Sequence, residues 1–391
     1  MVNMVVLQVG LGIGLILLAV DPALWGAALA VLLVGVALGL GRWRGRWLVL
    51  WLQLIARYLV RSHERVARPD PVATGPAPGT DGSVVGARDP RVALLRLVLP
   101  DLVVAQGTDH QREPLGLTWN QGTWTAVLQV DAAASLVTPV GGAPSLPLGA
   151  LVPCLQDRGV MLDAIQVIWH CYPGSAALPS SSPALSSYLE VLGPLPAAAR
   201  RTTWVAVRLD PRRCLTAVQE RGGGVIGSHR ALIGALSRVR STLDAHRVPT
   251  RPLDADQLLR AGIAAAELSS VAGTEREVTL RERWTGVTAA GVGHASYAIT
   301  AWPAWGGAHN LNALTGVRAL STTVALSVSP GEGAEVGLRG LDRISARNPA
   351  ELEAADNRLR AVSARLGVAL TPLRGLQLAG LAATLPLGAS T

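Results

Sequence analysis

The chain has 391 residues, 49% of them hydrophobic and only 16% charged, with a mean hydropathy of +0.34 and a formal net charge of +8. An average soluble protein carries about 25% charged residues, so the balance points to a chain that keeps part of its length out of water. All 35 basic residues are arginines, and without lysine neither a P-loop NTPase nor a pyridoxal enzyme can be built.

Residues 5–20 carry no charge, Asp21-Pro22 interrupts, and 23–41 is again uncharged. Each run approaches the ~20 residues that cross a hydrocarbon core of ~30 Å. Proline lacks a backbone donor and disfavours helix in the residue before it, which marks a break between the runs. Residues 1–41 are therefore expected to form a transmembrane helical hairpin. Gly10, Gly14, Gly35 and Gly39 stand at small-xxx-small spacing, which lets helices approach closely, and they are the candidate packing positions.

Arg42, Arg44 and Arg46 follow at once, and Arg57, Arg61, Arg65 and Arg68 continue the series. The positive-inside rule then places both termini in the cytoplasm, as expected of a multi-pass protein of the cell membrane. Apolar residues from Trp47 to Val66 recur at helical spacing, which predicts an amphipathic juxtamembrane helix within 42–68. The candidate membrane-interface residues are Arg42, Trp43, Arg44, Arg46, Trp47, Trp51, Arg57, Tyr58 and Arg61. This stretch holds seven arginines and one glutamate, +6 of the +8. The charge that would suggest nucleic acid is thus mostly a collar suited to an anionic lipid surface.

Residues 69–91 read as a Pro/Gly-rich linker and 92–391 as a globular domain. Asn120-Gln121-Gly122 lies between two strand-like runs and predicts a hairpin. A helix over 148–157, strands over 162–171 and 203–209, and helices over 214–220, 228–246 and 256–268 follow. A second hairpin over 283–302, strands over 321–328 and 335–344, a helix from Pro349 to 366 and a strand-like 368–372 complete the series. Hairpin, strand, strand, helix occurs twice, although the residues do not align. The fold class expected is an α+β cytoplasmic domain, a mixed sheet with packed helices in two halves of related rhythm, behind the transmembrane hairpin.

Little in this domain has the pattern of catalysis. Cys154, Cys171 and Cys214 show no CxxC spacing and read as small buried apolar residues. Gly222-Gly-Gly224 precedes a helix but has no lysine to complete a phosphate loop. Asp254-Ala-Asp256 has the spacing of a metal clamp, yet it stands where aspartates cap a helix. The seven histidines form no metal-ligand pair and no Gly-x-Ser-x-Gly elbow appears. No cofactor or metal site is expected.

Taken in order, the apolar run pair, Arg42-Trp-Arg-Gly-Arg-Trp47, Leu115-Gly-Leu-Thr-Trp-Asn-Gln-Gly122 and Thr125-Ala-Val-Leu-Gln-Val130 resemble the EccE family of actinobacterial type VII (ESX) secretion systems. Further landmarks are Thr203-Trp-Val-Ala-Val-Arg-Leu-Asp-Pro211, the Arg221-Gly-Gly-Gly224 turn, Leu253-Asp-Ala-Asp-Gln-Leu258, Arg281-Glu-Arg-Trp284 and Ala383-Thr-Leu-Pro-Leu-Gly388. The resemblance implies a non-catalytic scaffold subunit of the inner-membrane secretion complex. Its implied partners are EccB, EccC and EccD subunits and the bilayer, with no nucleic acid and no small-molecule substrate. The alternative is a membrane-anchored glycosyltransferase-like enzyme using Asp254 and Asp256.

Overall fold

The computed structural model describes residues 2–43, 46–68, 84–85, 89–131, 146–172, 200–274, 276–302, 311–331 and 335–389. It divides into two units, 1–63 and 64–391.

In the first unit the two apolar runs are helices α1 (Val2–Val20) and α2 (Trp25–Leu40). Between them Asp21 accepts a hydrogen bond from the Ala23 N–H at 2.8 Å and sets a short 3-10 turn. A transmembrane hairpin does not follow, because no helix among the described residues is long and apolar enough to cross a membrane. At 1.5 Å per residue, helices of 19 and 16 residues reach about 28 and 24 Å, short of a core of about 30 Å. The multi-pass topology drawn from those spans is corrected with them. Hydropathy measures how apolar a run is, whereas Pro22 and the extended Gly41 (φ −65°, ψ 133°) decide where its helix stops.

Two short paired strands, β1 (Arg42–Trp43) and β2 (Arg46–Trp47), come next, then the helix α3 (Leu48–Val60). The amphipathic helix expected within 42–68 thus occupies 48–60, and β3 (Glu64–Ala67) already belongs to the sheet of the second unit. Most of the expected linker, 69–91, lies outside the described residues.

Runs rich in Val, Ile, Thr and Trp, separated by glycine-bearing turns, build the second unit as strands. In chain order these are β4 (Val84–Val85), β5 (Val103–Thr108), β6 (Pro114–Asn120), β7 (Thr123–Val130), β8 (Gln156–Asp157), β9 (Val160–Met161), β10 (Ala164–Tyr172) and β11 (Arg200–Leu209). After them come β12 (Thr250–Pro252), β13 (Val278–Arg283), β14 (Gly286–Ala289), β15 (Val292–Ala301), β16 (Ser321–Pro330), β17 (Val336–Ala346) and β18 (Ala369–Pro372). The helices are α4 (Pro90–Arg96), α5 (Leu148–Leu151), α6 (Leu215–Glu220), α7 (Gly224–Ala245), α8 (Ala255–Ala265), α9 (Pro349–Leu366) and α10 (Gln377–Ala383). The stretch expected as one helix over 148–157 is shorter, passing into a 3-10 turn at Val152 and into β8.

One 14-stranded sheet runs β3-β13-β14-β15-β17-β16-β10-β11-β7-β6-β5-β4, with β12 added on β7 and β18 on β15. The large sheet with packed helices is as expected. Every pairing described in it is antiparallel.

The repeated rhythm is a repeat of topology. The order β5-β6-β7-β10-β11-α7-β12-α8 is matched by β13-β14-β15-β16-β17-α9-β18-α10. In the sheet the two sets meet head to head at β10 and β16, with Ile168 opposite Ala325 at the centre. Gln121 and Gly122 turn the first hairpin with φ of 49° and 85°, and Ala290 and Gly291 turn the second with φ of 49° and 79°. Such two-residue turns need both central residues left-handed, which suits the strand twist. At equal distances past those turns, the Leu253 N–H donates to Val127 (3.0 Å) and the Leu373 N–H to Ser296 (2.9 Å).

Alternation along the strands divides the buried side chains between two faces. On one, Leu232, Leu236, Val239 and Leu243 of α7 share a buried cluster with Val205, Val207 and Val167, and Leu359 of α9 belongs to the same cluster. On the other, α4, α8 and α10 cover Val127, Ile168, Ala206 and Ala325. Because β10 and β16 are continuous sheet, the halves should unfold together. Truncating Leu359 to Ala, at 0% exposure, is expected to cost about 2–5 kcal/mol. Urea unfolding followed by fluorescence and by circular dichroism should show one coincident, lowered transition. Two separated transitions would mean that the halves are independent.

Candidate functional site

In the first unit, α1 and α2 meet through glycine. A Cβ added to Gly10 would lie 3.1 Å from the Gly35 Cα, and one on Gly35 would lie 3.2 Å from the Gly10 Cα. A Cβ on Gly14 would be 3.4 Å from the Ala28 carbonyl oxygen, and Gly39 is buried on α2. Across the hairpin Gly10 thus stands against Gly35. Away from this seam the helices are apolar on the outside: Val5, Leu15, Ile16, Leu33 and Leu40 are all more than half exposed.

Among the arginine and tryptophan residues, the Arg42 guanidinium sits over the Trp47 ring at 4.0 Å, held there by the β1–β2 register that pairs the two residues. An exposed cation–π contact of this kind is worth about 0.5–1 kcal/mol. Arg44 lies outside the described residues, as do the side chains of Trp43 and Arg46. On α3, Trp51 and Tyr58 are half-buried and Arg57 is exposed in the last turn, where the helix dipole favours a cation. Tyr58 packs on His63 with ring centroids 4.0 Å apart, and Arg61 follows the helix, half-buried.

The second unit engages both aspartates of the suspected clamp. Asp254 accepts from the Gln257 N–H at 2.7 Å, and the Gln257 side chain returns to the Asp254 N–H, a complete capping box. Asp256 holds Arg91 and Arg260, each at 2.6 Å, and the bond to Arg91 keeps its carboxyl below the usual range. Gly222, Gly223 and Gly224 all have positive φ and lead into α7. Cys154, Cys171 and Cys214 are buried free thiols. No group of three metal-ligating side chains occurs among the described residues.

The dense polar chemistry lies at the centre of the sheet, where no motif pointed. Arg343 on β17 is fully buried, and burial pushes its guanidinium down to about 10. Its Nη2 donates to the carbonyl of Ala265, the last residue of α8, at 2.5 Å and to the Thr323 hydroxyl at 3.0 Å. Thr323 also meets His170 Nδ1 at 2.8 Å, and His170 Nε2 lies 3.8 Å from Glu267. Arg343 Nη1 is 3.4 Å from His294 Nδ1, and burial with the arginine's charge keeps that ring neutral. Burial likewise raises the Glu267 carboxyl. The reciprocal tie comes from Gln166 on β10, whose Nε2 donates to the carbonyl of Ala383, the end of α10, at 2.7 Å. Each half thus holds the helix end of the other.

On the opposite face Asp342 is fully buried between Tyr297 and Val324 in register. Neither of its carboxyl oxygens has a hydrogen-bond partner among the described residues, and burial pushes its acidity far towards the protonated form.

Comparison with known proteins adds the family. Residues 197–299 match the family described as "Putative type VII ESX secretion system translocon, EccE". The ESX-5 secretion system protein EccE5 of Mycobacterium marinum is 28% identical over 184 residues, 44% of this chain and 43% of that protein. The ESX-1 secretion system protein EccE1 of Mycobacterium tuberculosis is 37% identical over 75 residues, 19% of this chain and 16% of that protein. The EccE1 of Mycolicibacterium smegmatis is 30% identical over 138 residues, 34% and 26% of the two chains. The chain spans less than half the length of each of these relatives.

Two outcomes test the geometry. In Gly35→Leu, overpacking of about 1–3 kcal/mol should spread the helices, so spin labels on the outer faces of α1 and α2 read a longer distance. Gly12→Leu, whose Cβ meets nothing within 4 Å, should leave it unchanged. For Asp342 the raised native pKa means that only the unfolded chain ionises as pH climbs from about 4, so stability falls with rising pH. Urea unfolding of Asp342→Asn from pH 4 to 8 should show a shallower fall than the parent, and an equal slope would refute the assignment.

Residues 197–299 thus carry a match to the EccE domain of type VII ESX secretion components, and parts of the chain are similar to EccE5 and EccE1 proteins.

Proposed function

We propose that the chain is a non-catalytic structural subunit of a type VII secretion complex, associated with a membrane and bound to subunits of the EccB, EccC and EccD type. The observation that carries this reading is the EccE match, joined to a first unit whose outer surface is apolar. Val5, Leu15, Ile16, Leu33, Leu59 and Val60 are all more than half exposed there. A contiguous apolar surface beyond a few hundred Å² marks an interaction face. In this reading α1 and α2 present that face to apolar helices of partner subunits.

The arginine and tryptophan residues from Arg42 to Arg61 supply the second contact, at the membrane–water interface. Arg42 and Arg57 remain exposed beside the half-buried rings of Trp47, Trp51 and Tyr58. Exposed cations beside amphipathic rings suit anionic headgroups. The rival reading, an enzyme using Asp254 and Asp256, is disfavoured by the engagement of both carboxylates in the cap and with arginine.

Affinity purification of the tagged full chain from its host in mild detergent should recover subunits of the EccB, EccC and EccD type. Recovery of the chain alone would sink the scaffold reading. In a parallel assay Arg42→Gln/Arg57→Gln should weaken sedimentation with vesicles containing anionic lipid and leave neutral vesicles unaffected. At about 1 kcal/mol per arginine the expected loss is roughly 30-fold.

A further inference from the structure

The two halves enter their long helices differently. In the second half β17 ends at Ala346 and α9 begins at Pro349, so Arg347 and Asn348 make the whole connection. In the first half residues 210–223 lie between β11 and α7, folded as a 3-10 turn (Pro211–Arg213) and α6. The shared topology does not need this insert.

Its inner side is fixed. Cys214, Ala217 and Val218 are buried in the same cluster as the inner face of α7. A Cβ on Gly227 of α7 would collide with the Val218 carbonyl, so the α6 backbone seats directly on α7.

Its outer side is apolar. Leu215, at the start of α6, and Val225 and Ile226, in the first turn of α7, are 59%, 57% and 62% exposed. Among the described residues of the second unit, the other large aliphatic side chains so exposed are Val66, Val336 and Leu338. Gly223 and Gly224 are left-handed and leave the turn uncovered, since a Cβ on either would meet nothing within 4 Å. No side chain caps α7, so its first N–H groups add the positive end of the helix dipole to this surface.

The charge around the insert is unbalanced at two arginines. Arg212, Arg213, Arg238 and Arg240 each pair with an aspartate. Arg221 and Arg230 have no acidic partner among the described residues. Arg221 Nη1 donates to the Ala217 carbonyl at 2.7 Å, and Arg230 Nη1 to the Arg221 carbonyl at 3.0 Å. A Cβ on Gly222 would lie 3.2 Å from Arg230 Nη1 and 3.8 Å from Ile226 Cγ2, so cation and aliphatic group flank one point.

We propose that this surface docks a segment of a partner protein in which acidic side chains stand beside aliphatic ones. The aliphatic groups cover Leu215, Val225 and Ile226, and the carboxylates pair with Arg221 and Arg230. Charge complementarity decides for an acidic occupant, because a guanidinium fork matches a carboxylate in bidentate fashion. A polypeptide is favoured over an anionic bilayer on two grounds. Bilayer-facing surfaces carry Trp and Tyr, and residues 210–230 contain neither; the exposed Glu220 would also meet lipid phosphates as a like charge. The inference rests on the reading of the chain as a subunit of an assembly, and it adds a contact separate from the apolar face of the first unit.

Photo-crosslinking of the full chain in its host tests it, with p-benzoylphenylalanine in place of Ile226 and the product identified by mass spectrometry. The expected product joins position 226 to a protein segment bearing Asp or Glu beside aliphatic residues. The same probe in place of Ala245, at the far end of α7, should not give it. Arg221→Glu/Arg230→Glu should lower the yield at least about tenfold with an unchanged unfolding midpoint, since like charges then face each other. Lys in place of the partner's acids should restore the yield. Arg221→Gln/Arg230→Gln, which removes charge without reversing it, should lower the yield less. The proposal is overturned if the probe captures lipid or no protein, if the captured segment lacks acidic residues, or if both double variants cross-link as the parent does. An acidic, charge-dependent partner unrelated to secretion subunits would uphold this docking site and sink the scaffold reading; co-purified secretion subunits without a cross-link at 226 would do the reverse.

Discussion

The second unit depends on one pairing, β10 against β16, where Ile168 faces Ala325. Seven register pairs join those strands, and through them two similar half-sheets become one. Ladder hydrogen bonds alone would leave the helices on each half separable. Arg343 removes that freedom: a strand of the second half holds the last carbonyl of α8, while Gln166 of the first half holds the last carbonyl of α10. A guanidinium taken fully out of water carries a desolvation cost of several kcal/mol. The Ala265 carbonyl, the Thr323 hydroxyl and the His294 ring offset it with directed hydrogen bonds. Loss of any of them leaves a buried charge partly unmet, so the network specifies a single arrangement of the two halves.

The same constraint separates the roles of the two units. The first exposes its aliphatic side chains and closes its hairpin through glycine. The second, among the described residues, buries most of its aliphatic side chains on two faces of one sheet and uses buried polar groups for ties between halves.

Much of the fold was legible because its signals are local. Asn120-Gln121-Gly122 announced its hairpin, Asp254 its helix cap, and Pro349 the start of α9, since each depends on a few adjacent residues. The repeat of topology was visible as rhythm but not as residue identity, because register and turn conformation repeat while side chains differ. Arg343 was not legible: in sequence it is one arginine in a strand, and only the packing of α8 across β17 buries it. The spans failed for a different reason, since hydropathy measured the runs correctly while Pro22 and Gly41 fixed their helical lengths.

Native-state hydrogen exchange tests the interlock most directly. If Arg343 binds the end of α8 into the common core, the amides of the last turn of α8 exchange with the same free energy as those of Ile168 and Ala325, that of global unfolding. Faster exchange at the end of α8, through a local opening that leaves β10 and β16 protected, would contradict it.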